Sequence, residues 1–352
     1  MTKKKLLCVV MSFVTILGFC LTAYAATSTG FAVFSSNTAF VQSSTYTNYS
    51  TSSTDALYGR YNSTRTYAIP GLLSTDYINS SNTTKQHIKY VPQGLCIYDS
   101  DYMLVTGYDF TNTTDDTSDN GTDTETGNSV IYVMKDNGTT WVYQKTLVIS
   151  GSKAHVGGIA YDSAHGYIYV SKGSAVGIIK KADIDKAISS TGNPVTIAYS
   201  STSTVNNDAS YMAYNSGDGK LYVGNFDNGI MYSYTINSTT GALTVSKSYT
   251  FPTGVSQVQG IGIRNNKIYI SCSYGRNNAA KLYIYNFASG SFGSQVSDLR
   301  LPPMSEGIAI GSTYSYVLFE SAAWPYYGGA TQLGGTKCPY PCDRVIALNG
   351  LV

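Results

Sequence analysis

The chain has 352 residues, only 12% of them charged against 43% hydrophobic, with 34 glycines and 32 tyrosines. A globular domain ordinarily carries about a quarter charged residues, so polarity here rests on Ser, Thr, Asn and Tyr, which excludes coiled coils, helical arrays and charged disorder. The formal charge is +2, with no basic surface to hold phosphate backbones, so nucleic acid is not an expected partner.

At the N-terminus, basic Met1 to Lys5 precede an apolar run from Leu6 to Leu21 and the small-residue site Ala23-Tyr24-Ala25. That is the pattern of a secretory signal cleaved after Ala25. Residues 1–25 therefore read as a signal peptide, and the mature protein as secreted and extracellular, with no stable membrane insertion. Losing Lys3, Lys4 and Lys5 lowers the basic count from 23 to 20 against 21 acids, a net charge of −1. Residues 26–60 are rich in Ser, Thr, Tyr and Asn without a clean period, and read as a flexible leader or a surface strap.

From residue 61 to 352 one phrase recurs: small and polar residues, a short apolar strand, a turn, then a strand rich in Tyr, Val and Ile. It appears at Pro92-Gln93-Gly94-Leu95, His155-Val156-Gly157-Gly158-Ile159, Ser210-Tyr211-Met212-Ala213, Gln259-Gly260-Ile261 and Glu306-Gly307-Ile308. Taking Gly94, Gly158, Tyr211, Gly260 and Gly307 as equivalent, the steps are 64, 53, 49 and 47 residues. Repeats of this size with four β-like stretches each predict an all-β fold, a five-bladed β-propeller in a single domain. The fifth unit offers only three strands. Thr64 to Pro70 can supply the fourth, closing the ring with an N-terminal strand and removing the open edge. Six blades result if residues 26–60 pair as well. The one good helical window is Lys180 to Ser189, late in the second unit, with a solvated charged face.

Of six cysteines, Cys8 and Cys20 leave with the signal. Cys338 and Cys342, in Cys-Pro-Tyr-Pro-Cys, are expected to close a small disulfide loop in an oxidising compartment. Cys96 and Cys272 fall in apolar runs and read as buried free thiols.

In a propeller the first strand of each blade lines the axis, so Gln93, His155, Ser210, Gln259 and Glu306 are expected to form one polar ring. Second-strand ends add Asp109, Asn225, Asp227, Arg276 and Glu320. His155 suits proton shuttling near neutral pH, with Asp109 and Glu320 as further catalytic candidates. Glu306, Asp227, Asn225 and Gln259 offer oxygen ligands for calcium or another divalent cation. Carboxylates so placed also suit paired acid and base work. A second calcium candidate is the acidic loop Asp115 to Glu125, equally readable as a solvated hairpin. Gln93, Arg276, Trp324, Tyr326 and Tyr327 are candidate ligand contacts, the aromatics by stacking on a sugar ring or packing on one another.

The phrases at Gln93-Gly94, Gln259-Gly260 and Glu306-Gly307, each followed by a Tyr-rich strand, resemble those of secreted NHL and senescence-marker/gluconolactonase-like propellers. The resemblance implies a propeller holding a divalent cation through a Glu at the position of Glu306, with an Asp as base. Two readings follow. One is a monomeric, metal-assisted hydrolase of a small ester, lactone or phosphoester; the other is a non-catalytic extracellular module that binds glycan or a wall component.

Overall fold

The computed structural model describes residues 33–50, 59–72, 77–78, 84–85, 90–109, 127–288, 290–328 and 337–351. The expected signal peptide, the acidic loop Asp115 to Glu125 and the side chain of Trp324 lie outside the described residues. No helix among the described residues is long and apolar enough to cross a membrane.

The chain is a five-bladed β-propeller. Blade 1 consists of Tyr90–Tyr98, Tyr102–Asp109, Val130–Asp136 and Trp141–Ile149; blade 2 of Ile159–Asp162, Tyr167–Lys172, Ala175–Lys180 and Ser201–Thr204. Blade 3 consists of Tyr211–Asn215, Lys220–Gly224, Ile230–Ile236 and Leu243–Thr250; blade 4 of Val258–Arg264, Lys267–Cys272, Ala280–Phe287 and Phe292–Leu301. Blade 5 has Ser305–Ile310, Tyr314–Phe319 and Arg344–Asn349, completed by Tyr67–Ala68, which pairs antiparallel with the last of these. Thus the N-terminal segment does close the ring. No sixth blade forms among the described residues.

Burial explains the composition of each strand. Second strands lie inside their sheets and carry β-branched residues and Tyr on both faces, whereas outer strands such as Leu243–Thr250 are mostly exposed and polar. The second-strand tyrosines reach between blades. Tyr169 donates its hydroxyl to the Gly241 carbonyl of blade 3 at 2.9 Å, and that of Tyr269 reaches the Leu351 carbonyl beyond blade 5. A tyrosine so placed buries a large ring while its polar end finds a partner, which accounts for the tyrosine-rich composition.

The recurrent glycine has a steric cause. Five blades leave a narrow axis, so neighbouring inner strands meet backbone to backbone. A Cβ on Gly260 would stand 2.6 Å from the Glu306 carbonyl oxygen of blade 5, and one on Gly307 would stand 2.5 Å from the Leu95 nitrogen of blade 1. Both positions are closer than a side chain tolerates.

Two additions tie the blades together. Lys181–Ser189 forms the expected helix, burying Ile184, Ala187 and Ile188. Beyond it Val195–Ile197 pairs parallel to the outer strand of blade 1, so the second unit covers the edge of the first. Residues 33–50 carry two short helices, Asn37–Val41 and Ser44–Thr47, which dock on blade 5 rather than trailing free. Phe40 is fully buried, the Phe34 amide donates to Asp343 Oδ2 at 3.1 Å, and Arg344 Nη2 donates to the Phe34 carbonyl at 2.6 Å.

The expected Cys338–Cys342 disulfide is not formed; both residues are buried free thiols, as are Cys96 and Cys272. Cys342 sits fully enclosed against Arg344, and Cys338 directs its sulfur to the Arg276 carbonyl at 3.3 Å, so each thiol has a separate partner.

Candidate active site

Three of the expected axial residues stand at irregularities of the inner strands. The pairing register of the first two strands shifts between Pro92 and Leu95, between Val258 and Gly260, and between Ser305 and Ile308. Gln93, Gln259 and Glu306 occupy those shifts. A bulge of this kind turns a side chain out of the regular alternation and often borders a functional site. Backbone strain collects at the same level: Val156, Gln257 and Met304 have φ of 51°, 55° and 61°, a region costly for side chains other than Asn, Asp or Gly.

At this pole the first two strands of blade 5 bring two carboxyls together, and Gln93 of blade 1 joins them. Glu306 is 2% exposed and Glu320, just beyond the second strand of blade 5, is 7% exposed. Their carboxyls are hydrogen-bonded to each other. Burial, reinforced by the charge of Glu320, holds Glu306 protonated with its pKa well above the usual carboxylate range. Burial also pushes Glu320 up to about 7, against hydrogen bonds from Gln93, Tyr326 and Glu306 and the charge of Arg276, which favour its ionised form. Above about pH 7 the pair therefore holds one proton between two oxygens. Gln93 Nε2 donates to Glu320 Oε2 at 2.9 Å, while Glu306 Oε1 is buried with no hydrogen-bond partner in the protein.

The surrounding groups come from four blades. The π-helical turn Trp324–Gly328 carries Tyr326, whose hydroxyl joins Glu320 to Tyr108 of blade 1. Arg276 of blade 4 lies over the Tyr326 ring, 5.4 Å from its centroid. His155 stacks on Tyr108 with ring centroids 4.2 Å apart. The residue is exposed at the surface, while the protein packed around its ring desolvates it and lowers its pKa. The imidazole is therefore neutral at pH 7.

Gln93, Glu306, Glu320, Tyr326 and Arg276 are thus brought together, with His155 joined through Tyr108. Asp109 is 8% exposed at the end of the blade 1 second strand. The expected cation set does not share one centre: Glu306 is engaged with Glu320, Asn225 accepts the Asp227 amide at 2.6 Å, and Asp227 is exposed on that turn. No three His, Cys, Asp or Glu side chains converge as ligands among the described residues, whereas calcium takes six to eight oxygens. Among the described residues, then, these four side chains are not gathered as one ligand set. Each of the two tyrosines has a cation over one face: Arg276 over Tyr326, and the Lys337 ammonium 5.6 Å from the Tyr327 centroid.

Tyr108 escapes a reading of the sequence. Its neighbour Asp109 marks the strand end, but no local signal indicates that the tyrosine connects His155 to the carboxyl pair across a blade boundary.

The raised Glu320 pKa has a thermodynamic consequence. Its ordinary value is 4.5 and its folded value about 7. Between those limits the native state holds the extra proton, so this group's stabilisation is complete below pH 4.5 and is lost as pH rises through 7. The stability difference between the wild type and Glu320→Gln, measured by urea unfolding, is expected to shift against the wild type over that window; a pH-independent difference would contradict the assignment.

No family model matches this sequence, and no curated protein matches it. Solved structures do. A protein from Lactobacillus plantarum is 14% identical over 67% of this chain and 64% of its own, with a TM-score of 0.37. A protein of unknown function from Bacteroides thetaiotaomicron is 14% identical over 65% of this chain and 56% of its own, with a TM-score of 0.39. A protein from Bacteroides uniformis, provisionally called a 6-phosphogluconolactonase, is 10% identical over 62% of this chain and 75% of its own, with a TM-score of 0.38. The matched region thus spans less than two thirds of the first two structures. Likeness this low transfers neither substrate nor residue roles.

Proposed function

We propose that this chain is a secreted hydrolase of a small polar ester, lactone or phosphoester, working by proton transfer at the Glu306–Glu320 pair. The single observation that carries this reading is a buried carboxyl pair sharing a proton, with Glu320 poised at about 7. A group with that pKa is half ionised at neutral pH, the condition under which a general base works best. In the ionised microstate Glu320 takes a proton from water as the water oxygen attacks the carbonyl carbon or phosphorus. The bond to the leaving oxygen breaks, and that oxygen receives the proton of Glu306. Proton exchange within the pair then restores the starting state. Arg276 supplies positive charge for the negative oxygen that develops, and Tyr326 and Gln93 hold Glu320 in place. No step requires a bound cation.

Turnover of a panel of esters, lactones and phosphoesters tests the proposal. Glu320→Gln and Glu306→Gln are each expected to lower kcat by roughly 10² or more, with the propeller still folded and with chelator-treated enzyme unaffected. Absence of wild-type turnover, or unchanged rates in both variants, would remove it.

A second reading has one specific observation behind it. Tyr274, 52% exposed on the rim, lies beside Phe226 with ring centroids 6.3 Å apart. Glycan binding without turnover, abolished by Tyr274→Ala, would identify a recognition module instead.

A further inference from the structure

A second polar space lies at the opposite ends of the strands, between blades 3 and 4. The hairpin ends Asn215–Asp218 and Arg264–Asn266, with Phe287 and Gly290, line a cavity of about 490 Å³. That is within the size range of small-molecule sites. It is remote from the carboxyl pair along the blade, since Arg264 ends the strand that begins near Gln259.

Among the described residues, Arg264 is the one cation in the cavity wall. Among the described residues no acceptor meets its guanidinium, and its Nε is buried without a hydrogen-bond partner. A half-buried guanidinium with unmatched donors has lost part of its hydration without compensation, so an anion placed against it recovers that loss. The wall's one carboxylate is already engaged. Asp218 Oδ2 accepts the Tyr222 hydroxyl at 2.7 Å, and Oδ1 accepts the Lys220 amide at 3.2 Å. Other cations surround the space: Lys247 Nζ donates to the Gly290 carbonyl at 2.8 Å, and Lys267 stands cross-strand from Arg264. Asn265 and Asn266 form the hairpin tip with φ of 52° and 57°, so their amides border the same wall.

We propose that this cavity binds a small ligand through a phosphate group, with Arg264 as its forked anchor. A guanidinium meets two phosphate oxygens at once, whereas the lysines add only a diffuse positive field. Inorganic phosphate and a phosphoester present the same chemistry to that fork. The site is independent of the hydrolytic reading and stands or falls alone.

Calorimetric titration of the purified full chain at low ionic strength, with inorganic phosphate and with glucose 6-phosphate, tests it. Saturable binding is expected, weakened at least tenfold by Arg264→Ala and by Arg264→Gln. Tighter binding of the sugar phosphate identifies an ester ligand; equal binding identifies the free anion. The proposal is overturned if neither compound binds saturably, or if both Arg264 variants, with wild-type melting temperatures, bind as the wild type does.

Discussion

Gly307→Val is expected to destabilise the propeller by about 3 kcal/mol or more, because overpacking is worst where the neighbours are backbone atoms that cannot rotate away. A Cβ at Gly307 would lie 2.5 Å from the Leu95 nitrogen and 2.8 Å from the Gln93 carbonyl oxygen. Relief requires blades 5 and 1 to separate, which opens the ring at the closing seam and moves Gln93 away from Glu320. Thermal unfolding should therefore show a drop of several degrees, together with lost turnover. Gly192→Val is the control: a Cβ on Gly192 would meet nothing closer than the Pro194 carbonyl oxygen, at 3.9 Å, so its effect should stay within about 0.5 kcal/mol. Equal effects at both glycines would refute the close-approach explanation.

Arg65→Ala is expected to have the next largest effect. The Arg65 guanidinium comes from the segment that closes the ring and makes a bidentate pair with Asp136 of blade 1, at 2.9 and 2.6 Å. It also donates to the Tyr316 hydroxyl of blade 5 at 3.3 Å and stacks 5.2 Å from the Trp141 ring centroid. One side chain thus joins the closing segment, the last blade and the first. Removing it leaves Asp136 without its cation and Trp141 without its cover, a loss of about 3 kcal/mol by comparison with other broken, partly buried pairs. Arg65→Lys keeps the charge but not the fork and should recover only part of that loss. Urea unfolding measures both; a change below about 0.5 kcal/mol for Arg65→Ala would show that the strand pairing alone holds the closure.

The repeat is legible in the chain because it is imposed by packing that every blade shares. Gly94, Gly158, Gly260 and Gly307 recur since each faces the next inner strand, and the following tyrosines recur since each bridges to the neighbouring blade. The closing role of Thr64 to Pro70 is legible for a related reason: the fifth unit lacks an outer strand, and an unpaired edge is unstable. The polar ring at Gln93, Gln259 and Glu306 is visible as a position in that repeat.

Other features depend on distances between units. That Glu306 bonds to Glu320 rather than joining Asp227 and Asn225 around a cation follows from how blade 5 folds upon itself, while Asn225 satisfies the Asp227 amide within its own turn. The sequence presents Tyr326 as a sugar-stacking face, yet Arg276 lies over one face of its ring and Glu320 takes its hydroxyl. The spacing of Cys338 and Cys342 suggests a bond, and their separate partners show two thiols.

The repeat and the segment that closes the ring follow from the order of residues alone, because each is a matter of local periodicity repeated along the chain; five blades rather than six was decided only when the chain folded. Which axial groups meet, and in what protonation state, is fixed when the blades assemble. A carboxyl's charge depends on the burial and the neighbours that other blades provide, and no local pattern records either.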